Sequence, residues 1–163
     1  MAKPPSPLAK PIFVLNGPNL NRLGSREPGV YGSATLKDIE AQIVPIADEL
    51  AVSVIWRQSN HEGELIDWLH EADAAAAAVV FNPGGYTHTS VALRDAVLSI
   101  RVPVIEVHLS NPMAREAFRH TSFISPVARG VISGFGAAGY GLAVRAAADL
   151  ADQKAPPHGS TGA

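Results

Sequence analysis

The sequence predicts a five-stranded, doubly wound α/β domain, a parallel sheet with helices on both faces. Two observations carry this. Short apolar runs alternate with stretches of helical periodicity from Ile12 to Leu150, the pattern of strand–helix–strand units. The runs are near-continuously apolar, which marks strands buried on both faces.

In chain order, residues 1–10 read as a flexible tail without the apolar segment of a secretory signal. Ile12–Leu15 is strand one. Residues 16–31 carry no periodic pattern, and a connection of that length is a lid, a binding loop or disorder. Leu20, Leu23, Val30 and Tyr31 are spaced to anchor it. Thr35 with Asp38 three residues on is a capping signal. It opens a helix to about Leu50, with Leu36, Ile39, Ile43, Ile46 and Leu50 on one face. Pro45 inside that helix is expected to kink or break it.

Val52–Trp56 is strand two. Ser59 and Asn60 offer N-caps for a helix to about Ala72, with Leu65, Ile66 and Leu69 inward. Ala77–Phe81 is strand three, stopped by Asn82-Pro-Gly-Gly85. A helix from Thr89 to Ile100 and a fourth strand, Val102–Val107, follow. Asn111-Pro112 pairs an N-cap with Pro at the first helical position, opening a short helix through Phe118. Gly130–Ser133 is strand five, Ala138–Leu150 the last helix, and the remainder a flexible tail. Residues 11–152 are read as one domain of flavodoxin-like type.

Bulk composition narrows the function. The 163 residues are 47% hydrophobic with a net charge of −2, without the basic face of a nucleic-acid or membrane-surface binder. The sequence contains no cysteine, which excludes thiol catalysis and Cys-ligated metals and fits the cytoplasm. No run approaches the roughly 18 apolar residues of a membrane span. Lys3, Lys10, Lys37 and Lys154 do not follow strands, against Schiff-base chemistry. The six histidines lack ligand spacing, against a metal site.

Ligands of such sheets bind beyond the carboxyl ends of the strands. Asn16, Asn19, Arg26 and Tyr31 follow strand one; Gln58, Ser59, Asn60 and His61 follow strand two. Asn82, Gly84, Gly85, Thr87 and His88 follow strand three; His108, Ser110, Asn111, Arg115 and Arg119 follow strand four. Each has a bland reading. Tyr31 is either a packed loop residue or a base whose phenolate Arg26 favours. Asn82 either caps a turn with Pro83 or holds a ligand oxygen or polarised water. His88 either begins a helix or faces a ligand. His108 shares a strand side with Glu106, so a carboxylate can orient the ring and make it an acid. Arg115 and Arg119, four apart on one helix face, form a solvated face or a carboxylate clamp. Asp95 reads as a surface residue.

Gly134-Phe-Gly136-Ala-Ala-Gly139 matches a dinucleotide fingerprint, which requires a further strand and an acid about 20 residues on. Only one helix and a tail remain, so these glycines are read as close strand-to-helix packing. A non-catalytic nucleotide-binding module is the alternative. The Tyr, Arg, His and Asn set suits cofactor-free proton abstraction beside a carbonyl, with an acid for the oxygen.

The motifs Leu15-Asn-Gly-Pro-Asn-Leu-Asn-Arg-Leu-Gly24, Arg26-Glu-Pro28, Tyr31-Gly32, Gln58-Ser-Asn-His-Glu-Gly63, Asn82-Pro-Gly84, Thr87-His-Thr-Ser90, Glu106-Val-His-Leu-Ser-Asn111 and Arg115-Glu-Ala-Phe-Arg-His120 resemble the type II 3-dehydroquinate dehydratase family, from about Pro11 to Leu150. The resemblance implies dehydration of 3-dehydroquinate to 3-dehydroshikimate by anti elimination through an enolate, a shikimate-pathway step without cofactor or Schiff base. By matching position it implies Tyr31 as base, Arg26 as its activator and charge stabiliser, and Asn19 as holder of the water that polarises the enolate oxygen. His108 is implied as the acid, supported by Glu106. Asn82, His88, Leu109 through its backbone, Ser110 and Arg119 are implied to bind substrate, with Arg115 near the mouth. Asp95 is implied to reach a neighbouring subunit's site in a homo-oligomer of trimers assembled into a dodecamer. Gly85, where many members have Ala, and Pro45 depart from the family pattern.

Overall fold

The computed structural model describes residues 8–25 and 27–153. The tail expectations for residues 1–7 and 154–163, and those for Arg26, lie outside these described residues. Strands β1 (Ile12–Asn16), β2 (Val54–Gln58), β3 (Ala78–Asn82), β4 (Val104–His108) and β5 (Gly130–Ser133) form one parallel sheet in the order β2-β1-β3-β4-β5. Helices α1 (Pro28–Tyr31), α2 (Leu36–Leu50), α3 (Glu62–Ala75), α4 (Val91–Ser99) and α5 (Ala138–Asp152) connect or follow them. This is the flavodoxin-like order, with its switch point between β1 and β3.

Alternation along the strands builds two cores. Ile12, Val14, Ala78, Val80, Ile105 and Val107 face α2 and α5, where Ile39, Ile43, Tyr140, Val144 and Ala147 meet them. Phe13, Leu15, Val79, Phe81 and Val104 face α3 and α4, where Leu65, Leu69, Leu93 and Val97 meet them. Burial on both faces explains the continuous apolar runs.

Local signals fixed α2 well. The Thr35 hydroxyl accepts from Asp38 N at 3.1 Å, and the Asp38 carboxylate accepts from Thr35 N at 2.9 Å. Pro45 does not break the helix, which runs on to Leu50. Pro45 and Ala41, whose carbonyl loses its i+4 donor, are both exposed, so water can satisfy that carbonyl. Strand two begins two residues later than expected. Val52 N instead closes the end of α2 by bonding Ala47 O at 3.0 Å. Strand four likewise starts at Val104, beyond Pro103, which has no N–H for a ladder.

The caps expected for α3 fail. Ser59 accepts from His61 N at 3.0 Å and donates to the Glu64 carboxylate, and α3 starts only at Glu62. The helix expected from about Thr89 to Ile100 runs from Val91 to Ser99, with Ser90 as its cap accepting from Leu93 N at 2.9 Å. The helix expected from Asn111 to Phe118 is two 3-10 turns, Pro112–Ala114 and Ala117–Arg119, separated by extended residues Arg115 and Glu116. Arg115 and Arg119 therefore do not share a helix face.

The loops after β1 and β3 touch backbone to backbone. A Cβ on Gly17 would sit 2.5 Å from Pro83 O, and one on Gly84, whose φ is +59°, would sit 3.0 Å from Pro18 O. Gly17 N also donates to Asn82 O at 2.8 Å. At the start of α5 a Gly139 Cβ would lie 3.6 Å from Val107, an ordinary contact, so close packing does not demand this glycine, whereas Gly134 and Gly136 hold left-handed φ values of 93° and 58°.

Candidate active site

Polar residues end three of the central strands: Asn16 on β1, Asn82 on β3 and His108 on β4. A cavity of about 140 Å³ opens beside them at the carboxyl edge of the sheet. Asn19, Tyr31, Asn82, His88, His108, Leu109, Ser110, Arg115 and Arg119 all line it. Glu106 lies behind His108, fully buried. Asp95 is exposed on α4 and does not line the cavity.

The loop after β1 is held at several points. Leu20 and Leu23 are buried, whereas Val30, expected as an anchor, is 45% exposed. Asn19 adopts a left-handed conformation, φ 67°, which Asn tolerates better than most residues. Its N–H donates to Asn60 Oδ1 at 2.9 Å, and Gln58 Nε2 donates to the same oxygen at 3.1 Å. Asn60 is thus a site-supporting residue rather than a helix cap. Tyr31 ends the short helix α1. Arg115 Nη1 donates to its hydroxyl at 2.6 Å, with the guanidinium carbon 5.2 Å from the ring centre. Arg115, placed by the resemblance near the mouth, is bonded to the phenol itself. Its Nη2 lies 3.9 Å from Glu27.

His108 and Glu106 meet as the strand alternation required. The His108 Nε2 lies 2.6 Å from Glu106 Oε1, and a carboxylate there makes that nitrogen the donor. The same carboxylate accepts from Thr87 at 2.5 Å, from Ser122 at 3.0 Å and from Ser125. Burial alone would raise the Glu106 pKa. Hydrogen bonding and charge from His108, then the Ser125 and Thr87 hydroxyls, outweigh it and hold the group below its ordinary value. A buried carboxylate persists as the anion only with such partners.

A carboxyl lowered in the folded state stabilises above its unfolded value, near 4.5, and that stability fades as pH falls through the lower folded value. Chemical unfolding followed from pH 6 to pH 3 is therefore expected to show a steeper acid loss of stability in the wild type than in Glu106→Gln. Equal slopes would remove Glu106 as the source.

The remaining walls are polar. His88 Nδ1 donates to the Thr121 carbonyl at 2.8 Å, since a carbonyl can only accept. Arg119 Nε donates to Glu116 at 2.6 Å. Asn82 does cap its turn, Oδ1 accepting from Gly84 N at 3.1 Å, and its Nδ2 also donates to the Tyr140 hydroxyl at 2.8 Å. Tyr140 escaped the sequence analysis. It is fully buried and stacks near Trp56, ring centres 5.4 Å apart. Burial pushes its hydroxyl pKa well up, against the hydrogen bond from Asn82, so it stays a neutral phenol. Among the described residues no group of three His, Asp or Glu is placed to hold a metal ion, and no helix is long and apolar enough to cross a membrane.

A parallel sheet with Tyr, His, Arg and Asn converging on one cavity at its carboxyl edge is the build of a flavodoxin-like α/β enzyme. The dehydroquinase class II family profile matches residues 10–148. A 3-dehydroquinate dehydratase of Agrobacterium fabrum is 61% identical over 135 residues, 83% of this chain and 93% of that one. The type II dehydroquinase of Butyrivibrio crossotus superposes with a TM-score of 0.83 at 43% identity, covering 85% of this chain and 97% of that one. That of Propionibacterium acnes gives 0.83 at 42%, covering 88% and 99%. The chain belongs to the class II dehydroquinase family.

Proposed function

We propose that this protein dehydrates 3-dehydroquinate to 3-dehydroshikimate in the shikimate pathway, in the cytoplasm and without a cofactor. The observation that carries the reading is the convergence of Tyr31 and His108 on one cavity, each bonded to a charged partner. The Tyr31 oxygen takes the proton beside the ketone, and the electron pair moves to the carbonyl oxygen as an enolate. Arg115 steadies the phenolate through its 2.6 Å bond, and the family resemblance assigns Arg26 to stabilise the charge that develops. A water held by Asn19 polarises the enolate oxygen. Glu106 holds His108 by Nε2, so Nδ1 gives its proton to the departing hydroxyl, which leaves as water on the face opposite the base.

Asn82, His88, the Leu109 backbone, Ser110 and Arg119 bind the substrate carboxylate and hydroxyls. Asp95 serves the site of a second copy in a homo-oligomer of trimers assembled into a dodecamer. Val91, Asp95 and Leu98 lie on one face of α4 by their spacing. Val91 and Leu98 are 53% and 58% exposed, an apolar frame round the acid that suits an interface.

The product is a conjugated enone, so absorbance in the enone band is expected to grow when the purified protein meets 3-dehydroquinate. Borohydride added with substrate should leave the enzyme active, because no lysine imine forms. Folded protein without an absorbance rise would refute the reading.

A further inference from the structure

The elimination assigns no part to the fully buried Tyr140 hydroxyl. Tyr140 lies beneath the paired strand ends, where Asn16 and Asn82 stand opposite each other in register. Its hydroxyl donates to Asn16 Oδ1 at 2.6 Å and accepts from Asn82 Nδ2 at 2.8 Å. The directions are set from the far end. Asn16 Nδ2 donates to the Arg57 carbonyl at 3.0 Å, and a carbonyl only accepts, so the Asn16 amide oxygen faces Tyr140. A phenol has one hydrogen. Once it is bonded to Asn16, the phenol oxygen can only accept from Asn82, which must turn its NH₂ group inward. Asn82 Oδ1 is held by Gly84 N. The amide keeps one further Nδ2 hydrogen, and Asn82 lines the cavity while only 2% exposed.

We propose that Tyr140 is a positioning residue that fixes the Asn82 amide as a hydrogen-bond donor toward the cavity, so that this wall selects a substrate oxygen able to accept. The inference rests on the dehydratase reading. The relay runs from the Arg57 backbone through Asn16 and Tyr140 to Asn82, and none of its first three members meets substrate. A site whose donor is fixed in advance binds an acceptor without reorganising.

Tyr140→Phe removes only the oxygen and keeps the ring against Trp56. Steady-state kinetics are expected to show KM raised roughly tenfold, with kcat changed less than about threefold, the signature of weakened substrate binding. A purely structural tyrosine would instead lower Tm and leave both constants as they were. Asn16→Ala is the second variant. It frees the phenol hydrogen to turn toward Asn82 and is expected to raise KM in the same direction with Tyr140 in place. In the Tyr140→Phe background, adding Asn16→Ala should raise KM no further. Unchanged KM in a folded Tyr140→Phe, or in Asn16→Ala if the first does not fold, overturns the inference alone. Absence of turnover in the wild type overturns the dehydratase reading and this inference with it.

Discussion

Tyr31→Phe is expected to lower kcat by at least about 10²-fold, because it deletes the general base of the proposed elimination. The substitution is conservative everywhere except at the reacting atom. The ring remains under the Arg115 guanidinium, 5.2 Å from its carbon, and only the oxygen bonded to Nη1 is lost. Substrate binding is assigned to other residues, so KM should change far less than kcat. Initial rates of enone formation across substrate concentrations, with thermal melts as a fold control, separate the two constants. A folded Tyr31→Phe enzyme with near-wild-type kcat would reject Tyr31 as the base.

His108→Ala is expected to cost a similar factor, at least about 10²-fold in kcat, because in the proposed mechanism the departing hydroxyl then leaves without its acid. This variant also strips the buried Glu106 carboxylate of its 2.6 Å partner. Thr87, Ser122 and Ser125 still donate to it, so the chain should fold with a lowered Tm. The double variant with Tyr31→Phe should fall short of the product of the single effects, as expected of groups that act in one step. Retention of most of the wild-type kcat by folded His108→Ala would reassign the acid.

What could be read in advance was what local chemistry decides. The Thr35–Asp38 cap lies within one turn and was legible from residue types three apart. Gly130–Ser133 was placed to the residue because glycines bound it. Glu106 and His108 were legible as a pair, since the two-residue strand period guarantees a shared side. Strand ends were harder. Where β2 begins depends on how α2 terminates and on pairing with β1, a partner some 40 residues away in sequence. Asn60 looked like a cap because its neighbours form a helix, yet its amide reaches back 41 residues to Asn19. Arg115 and Arg119 were put on one helix face because Asn111-Pro112 signals a start. Nothing nearby signals that the turn ends at Ala114. Tyr140 was invisible for the same reason. Its bond to Asn16 spans 124 residues, and no pattern in a helical, glycine-rich segment hints at it.

The contact between the loops after β1 and β3 has a consequence for anyone wishing to retune the enzyme. Where main chains press together at Gly17 and Pro83, and at Gly84 and Pro18, there is no room for a library to explore. Diversified codons there would yield mostly misfolded clones rather than altered selectivity. Evolvability must instead reside across the pocket, in the 3-10 turns around Arg115 and Arg119, where the bordering side chains Met113 and Phe118 stand 65% and 66% exposed.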